Sequence, residues 1–426
     1  LSRLSGSMNM EDCSSKMVAF SSQNIELPGQ YSCDSEPNLS QNVTISLIET
    51  DYSILRRSDL SHTHQCRISI RGSDGLLNNF LLQNTAPKMT PRDERVAQFF
   101  ELTNRLMAVH APARQRNVRS VVPVIVPITP RIRLLKECSA STSLSSVYED
   151  FCAAAGVDEV LPFIMAKNAS VLSHPDFLFD GSPAEARAAN RVRTYRTICE
   201  TLVPNSILTD RVSALADSYE KLWYIRKQFA TQTAVISYLS YLLSMGHQEP
   251  HKMFVSAQSG TTMFSDLHPL YSPDGLFAST GAVPFRLTRS MAHFLTPAGI
   301  HGTLTNSMMA VGSALKENEA FFEDYLFLLL QDDMEQQRAA IESSHAAETA
   351  KGEDGEEKKK EKDAVVDTDG DAIMGDADAA MGDGGPKGSK TIPYNVSVVK
   401  NMYCVLDRLD ETTPINIPAV HDRTSC

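Results

Sequence analysis

The side chains best able to do chemistry here are thiols, imidazoles and a few dense runs of charge and glycine. Cysteines stand at positions 13, 33, 66, 138, 152, 199, 404 and 426. None forms a C-x-x-C pair, and no histidine cluster has zinc spacing, so they read as reduced thiols of an intracellular protein. His62, His64, His110, His293 and His301 are scattered and make no ligand set. Asp367, Asp369 and Asp371 alternate as in a calcium loop, but the glycine required at the sixth position is Ala372. That stretch reads as acidic linker. Arg71-Gly72-Ser73-Asp74-Gly75 is a glycine-rich turn with an acid in it. Such a turn can cradle phosphate, yet the same composition is the default for a β-hairpin, so alone it is a weak signal. Arg114–Arg119 and Arg187–Arg196 read as solvated faces, although Arg191, Arg193 and Arg196 suit contact with a partner. The most unusual loop is Gly246-His247-Gln248-Glu249-Pro250-His251-Lys252.

A scaffold must position these groups. The chain has 426 residues and 42% hydrophobic content, enough for one large domain or two lobes around a cleft. The net charge of −12 argues against a basic nucleic-acid-binding surface. Much of the acid lies in Gln331–Lys390, and the rest is near balance. The longest apolar runs, Val121–Ile128 and Leu326–Leu330, fall far short of the roughly 20 residues that span a bilayer. Asn-x-Ser/Thr triplets at Asn38, Asn42, Asn168 and Asn395 occur without a secretory signal and read as chance. The first residue is Leu1, so a fragment or a partial gene model is expected.

Residues 1–20 are polar and read as a disordered leader. A small β-rich unit is expected over 21–130. Its hairpin runs from Cys66 to Leu82, with Ile68 and Ile70 alternating with polar residues. A helix follows over Asp93–Met107, with Val96, Phe99, Phe100, Thr103 and Met107 on one stripe. A strand, Val121–Val126, ends at Pro127. The chain over 131–330 reads as mainly helical, with helices at Ser143–Cys152, Ala184–Leu202, Thr288–Phe294, Leu304–Ala314 and Glu317–Leu330. The longest helix, Ser218–Ser244, is apolar on several sides and reads as a buried central helix. A second hairpin-like stretch spans Met253–Phe264. Residues 331–392 read as a disordered acidic linker. The segment 393–426 holds a last helix, Asn395–Leu409, and a tail.

Several blocks carry a family resemblance. They are Ile25-Glu26-Leu27-Pro28-Gly29-Gln30-Tyr31, Arg67–Gly75, Phe80–Gln83, Arg92–Phe100, Leu242–Gly260 and Val283-Pro284-Phe285-Arg286-Leu287-Thr288. In order and spacing they resemble the kinase domain of the phosphatidylinositol-3-kinase-related protein kinases. Within that clan, Gly29-Gln30-Tyr31, Arg71-Gly72-x-Asp74-Gly75, Glu94-Arg95-Val96, Leu202-Val203-Pro204-Asn205-Ser206 and Phe294-Leu295-Thr296 with Gly299-Ile300 resemble the TRRAP family, its pseudokinase members. The resemblance implies an α+β, bilobal protein-kinase-like fold of the PI3/PI4-kinase type, with a small β-rich N-lobe and a larger helical C-lobe. It implies a scaffold within SAGA-type histone acetyltransferase coactivator complexes in the nucleus. Other subunits would be its partners. Transcription activators would bind through upstream helical repeats that are not in this chain. No membrane or direct nucleic-acid contact is expected.

The resemblance also assigns site positions. Phosphoryl transfer needs a phosphate-binding lysine, a catalytic aspartate and ligands for magnesium. Where the clan has G-D-R-H-P-S-N, this chain keeps Gly246 and Pro250. His247 replaces the aspartate, Glu249 the histidine and Lys252 the magnesium-binding asparagine. An ammonium offers no lone pair and repels the ion. His247 retains a titratable ring that could serve as a base. Gln83 stands at the lysine position, and Lys88 in the following loop is the one nearby substitute. Asp93 matches the acid that opens the next helix, and also suits a helix N-terminus. Asp266 falls at the second magnesium-binding aspartate, in Phe264-Ser265-Asp266-Leu267-His268. The expectation is a domain without catalysis, cofactor or metal. The alternative is an active atypical Ser/Thr kinase of the same clan. The clan's aromatic C-terminal segment has no match in Pro418–Cys426, and the only tryptophan is Trp223.

Overall fold

A computed structural model describes residues 7–9, 25–31, 36, 38, 40–55, 64–84, 92–129, 131–137, 141–171, 184–246, 248–264, 267–272, 275–278, 285–332, 334–335, 338 and 394–410. The strands Ser7–Asn9 (β1), Ile45–Ile48 (β2), Asp51–Leu55 (β3), His64–Gly72 (β4), Leu77–Asn84 (β5), Ile125–Thr129 (β6) and Ile132–Lys136 (β7) form one seven-stranded sheet. Its order is β1-β3-β4-β5-β7-β6, with β2 also paired to β4. Every pairing is antiparallel.

Side chains alternate across such a sheet. Phe80 and Leu134 bury one face against Leu27, Ile45, Ile48 and Ile70. Leu81 and Gln83 pair with Leu135 and Arg133 and occupy the other face. Helix α1 (Arg92–Val109) packs beyond that face, and its predicted stripe of Val96, Phe99, Phe100, Thr103 and Met107 is buried. A short helix, α2 (Ala111–Gln115), follows.

The sheet departs from the expected lobe in three ways. Residues 7–9, inside the expected disordered leader, pair with Asp51–Ser53; the rest of 1–20 lies outside the described residues. The strand expected at Val121–Val126 starts only at Ile125 and runs through Pro127 to Thr129. An edge strand tolerates proline because the lost N–H has no ladder partner to satisfy. The sheet also passes residue 130, since β7 is its fifth strand along the order and ends at Lys136.

The second half begins with β8 (Ser141–Ser143), which joins β9 (Met253–Ser256) and β10 (Thr262–Phe264) in a three-stranded sheet. The predicted hairpin is thus present, with an extra strand supplied from far back in the chain. Helix α3 (Leu144–Ala155) opens on Ser143, whose side chain accepts from the Ser146 N–H, and ends at Gly156 in the left-handed region. Helices α4 (Leu161–Val171) and α6 (Ile207–Leu215) were not anticipated. Between them α5 (Ala184–Thr197) runs into a π-turn at Ile198–Leu202, where the sequence pattern implies one uninterrupted helix.

Central helix α7 (Tyr219–Leu242) is capped by Ser218 and buried along most of its second half. Helices α8 (Arg289–Phe294), α9 (Thr303–Glu317), α10 (319–332) and α11 (Tyr394–Asp410) surround it. One apolar cluster runs from Val96 and Phe99 of α1 through α7 and α9 to Leu409 of α11. The acidic linker beyond residue 338 and the tail after residue 410 lie outside the described residues. No described helix is long and apolar enough to cross a membrane.

Candidate functional site

The sheet, α1 and the loop after α7 converge on one cleft. The glycine-rich turn of β4–β5 is closed on itself. Gly72 N–H donates to Leu76 O at 3.0 Å, Gly75 N–H to Gly72 O at 3.0 Å and Ser73 N–H to Thr44 O at 2.8 Å. Asp74 accepts from Leu76 N–H at 3.0 Å. These are the donors a phosphate cradle would need, and each is engaged within the protein.

Gln83, on β5, is 5% exposed. Its Oε1 accepts from Arg133 Nε at 2.9 Å. Gln83 and Arg133 are paired in the β5–β7 register, so their side chains share a face. A cation therefore stands beside Gln83, delivered by the neighbouring strand. The sequence pattern gave no sign of it, because the pairing of two strands fifty residues apart is a tertiary fact.

The loop after α7 is held tightly. Gly246 N–H donates to His268 O at 3.0 Å, and a Cβ at Gly246 would lie 2.1 Å from Leu270 Cδ1. Only glycine fits that approach. Gln248 donates to Met245 O at 2.9 Å and accepts from Arg286 N–H at 2.7 Å. The Arg286 guanidinium returns to Gln248 O at 2.9 Å. Arg286 belongs to the Val283–Thr288 block, of which 283 and 284 lie outside the described residues. Pro250 opens a 3₁₀ turn ending at Lys252.

Lys252 is 8% exposed, and its Nζ lies 3.6 Å from Glu249 Oε2. The two side chains thus form an ion pair with each other. A carboxylate so engaged is balanced by the ammonium, and the pair presents no net negative charge to a divalent cation. Magnesium does not fit these described groups. His247, Asp266 and Lys88 lie outside the described residues. Asp93 falls in the first turn of α1, and its side chain lies outside them too. Among the described residues, no three His, Cys, Asp or Glu side chains converge as a metal site.

Behind Arg133 the cleft narrows to a cavity of about 70 Å³. Val96 and Phe100 of α1, Ile125 of β6, Ile236 of α7 and Phe264 of β10 line it with Arg133. From the far side Arg408 of α11 fastens the end of α7. Its Nη1 donates to Tyr241 O at 2.8 Å, Leu242 O at 2.9 Å and Ser244 Oγ at 2.9 Å. Those carbonyls have no partner within their own helix, so the guanidinium acts as a C-cap for the helix that leads into the loop.

Residues 89–336 match the phosphatidylinositol 3- and 4-kinase family. The SAGA complex/NuA4 acetyltransferase complex subunit TRA1 of Saccharomyces cerevisiae is 26% identical over 78% of this chain and 9% of its own length. The transformation/transcription domain-associated protein of Homo sapiens is 25% identical over 63% of this chain and 7% of its own. The DNA-dependent protein kinase catalytic subunit of Dictyostelium discoideum is 24% identical over 74% and 8%. A solved structure, the open conformation of CtTel1, superposes on 99% of this chain with a TM-score of 0.62 at 14% identity, covering 14% of that chain. This chain therefore spans about a tenth of the curated relatives it matches. With its small antiparallel lobe, its helical lobe and the cleft between them, the chain belongs to the phosphatidylinositol 3- and 4-kinase family and resembles its TRRAP-type members.

Proposed function

We propose that this domain is a pseudokinase that serves as a structural module of a histone acetyltransferase coactivator complex of the SAGA or NuA4 type, in the nucleus. The observation that carries the reading is the Lys252–Glu249 pair, a buried ammonium at the position where the clan binds magnesium. Phosphoryl transfer depends on electrostatic stabilisation of the leaving phosphates by a metal, and an ammonium paired with Glu249 has no lone pair to offer that metal. The closed turn and Gln83 point the same way. The coactivator assignment rests on relatives whose names place them in SAGA and NuA4.

What such a domain supplies is shape and surface. The subunits of such complexes would be its partners. The test has two arms. Purified 426-residue chain should leave a peptide unphosphorylated above the level of a Gly246→Leu control, and Mg-ATP should not raise its melting temperature. A ligand at about 100 times Kd would stabilise a true binder by about 2.7 kcal/mol. Magnesium-dependent stabilisation lost in Asp266→Ala would overturn the reading. In the second arm, the tagged chain expressed in its own cells should co-purify with acetyltransferase subunits.

The similarity to DNA-dependent protein kinase catalytic subunits supports the competing reading of an active Ser/Thr kinase. Measurable transfer in the first arm is what that reading requires.

A further inference from the structure

Helices α4 and α5 stand apart from the packed lobes, and their surface chemistry is unmatched. They pack on each other and on the π-turn at Ile198–Leu202. Neither contributes a described residue to the apolar core of either lobe. Val160, Phe163, Ile164 and Lys167 have the spacing of one helix face. The three apolar members are 52%, 66% and 45% exposed. They lie in and just before the first turn of α4, at the far end of that helix from residues 172–183, which are outside the described residues. The charged side chains described on α4 and α5 are Lys167, Arg191, Arg193 and Arg196, all cations. None makes an ion pair among the described residues. Arg71, Arg95 and Arg211, on other elements, each hold an acid. Arg193 and Arg196 are three residues apart and share a face.

We infer that the α4–α5 pair docks an acidic amphipathic helix of another protein chain, with the partner's apolar stripe on Val160, Phe163 and Ile164 and its carboxylates toward Arg193 and Arg196. Large apolar side chains gathered on an exposed face mark an interaction surface. Arginines without an acid of their own supply orientation and fast encounter with a partner of opposite charge. The occupant is a helix because the stripe repeats at i, i+3 and i+4, the spacing that a facing helix interdigitates with. Nucleic acid fits less well. Its contacts are dominated by phosphate, to which Phe163 and Ile164 offer nothing, and the chain carries a net charge of −12. This surface is independent of the cleft and would serve an active or an inert domain alike.

The test uses the full chain and fluorescence anisotropy of a labelled helical peptide of about 18 residues, with leucines on one face and glutamates on both flanks. One counterpart has glutamine for glutamate, a second has serine for leucine, and a single-stranded oligonucleotide reports nucleic-acid binding. The acidic amphipathic peptide should bind about tenfold or more tightly than either counterpart, and added salt should weaken it. Phe163→Ser with Ile164→Ser should reduce its affinity about tenfold or more. Arg193→Glu with Arg196→Glu should weaken the glutamate peptide and leave the glutamine peptide unchanged. The four side chains are exposed, so both variants should keep the parent circular dichroism. Absence of binding by the acidic peptide would overturn the inference, as would undiminished binding in the Phe163 and Ile164 variant. Tighter binding of the oligonucleotide, lost in the arginine variant alone, would also overturn it and mark a nucleic-acid surface.

Discussion

Gln83 and Arg133 face each other across β5 and β7, and that pairing would oppose a lysine at position 83, where the resemblance implies the clan's phosphate-binding lysine. Gln83→Lys would set two buried cations side by side and remove the acceptor that Arg133 Nε now uses. Like charges in that setting repel. We expect Gln83→Lys to lower stability by about 2–4 kcal/mol and to give no phosphotransfer. Urea denaturation of the parent and variant chains reads the difference. Full stability in the single variant would mean that the pair is incidental. Glu249 and Lys252 were assignable against the family pattern because Gly246 and Pro250 keep the frame of the loop, and the structure brings the two side chains together. Arg133 was not, since its place in the cleft depends on the register of β7 against β5.

At the scale of elements, local signals were readable where chemistry is local. Ser143, Ser218 and Thr288 each accept from a backbone N–H three residues on and start α3, α7 and α8 near the expected points. Strand β8 and helices α4 and α6 were missed. A three-residue strand shows no alternation, and exposed Phe163 and Ile164 blur the polar face of α4. The end of α5 was missed because a π-turn leaves no mark in the sequence period.

The contact between α7 and α9 was equally invisible, and it is testable. A Cβ on Gly312 of α9 would lie 2.7 Å from Tyr238 Oη of α7. Alanine in place of a helical glycine gains up to about 1 kcal/mol, whereas overpacking costs about 1–3 kcal/mol. The clash should prevail, so Gly312→Ala is expected to destabilise by about 1 kcal/mol, and Gly312→Ala with Tyr238→Phe to reverse the sign.

Tyr238 also gives a pH signature. Burial, and secondarily Tyr241, push its phenol up to about 12 from the usual 10.0. The folded state therefore holds a proton that the unfolded state releases between about pH 10 and 12, and stability falls across that window. Tyr238→Phe should flatten the alkaline limb of the stability profile. An unchanged slope would mean that Tyr238 ionises freely in the fold. The C-cap by Arg408 is a separate device. Arg408→Ala should cost about 1.5–3 kcal/mol, since a charged donor to two helix-end carbonyls is lost.

For the whole molecule the decisive joint is α1. It follows directly on the sheet in sequence, yet its apolar face belongs to the large cluster of the helical lobe. Phe99 is fully buried, with Phe322 of α10 at 5.8 Å and Tyr325 at 6.4 Å between ring centroids. Arg95 Nε lies 2.6 Å from Asp332 Oδ2 on the same helix, and His110 Nε2 lies 3.2 Å from Glu317 of α9. A kinase that opens and closes over substrate needs α1 to move with the sheet. Here α1 is tied across the cleft by buried aromatics, a geometry suited to a rigid scaffold. Exposed ion pairs such as Arg95–Asp332 add little, so the aromatic packing must supply most of the coupling. Phe99→Ala should cost about 3–5 kcal/mol. Its effect should reach both lobes, with amide hydrogen exchange rising in β5 and in α9 together and a single thermal transition at lower temperature. Faster exchange confined to the helical lobe, with the sheet unchanged, would mean that the lobes are energetically separate and that the cleft is free to hinge.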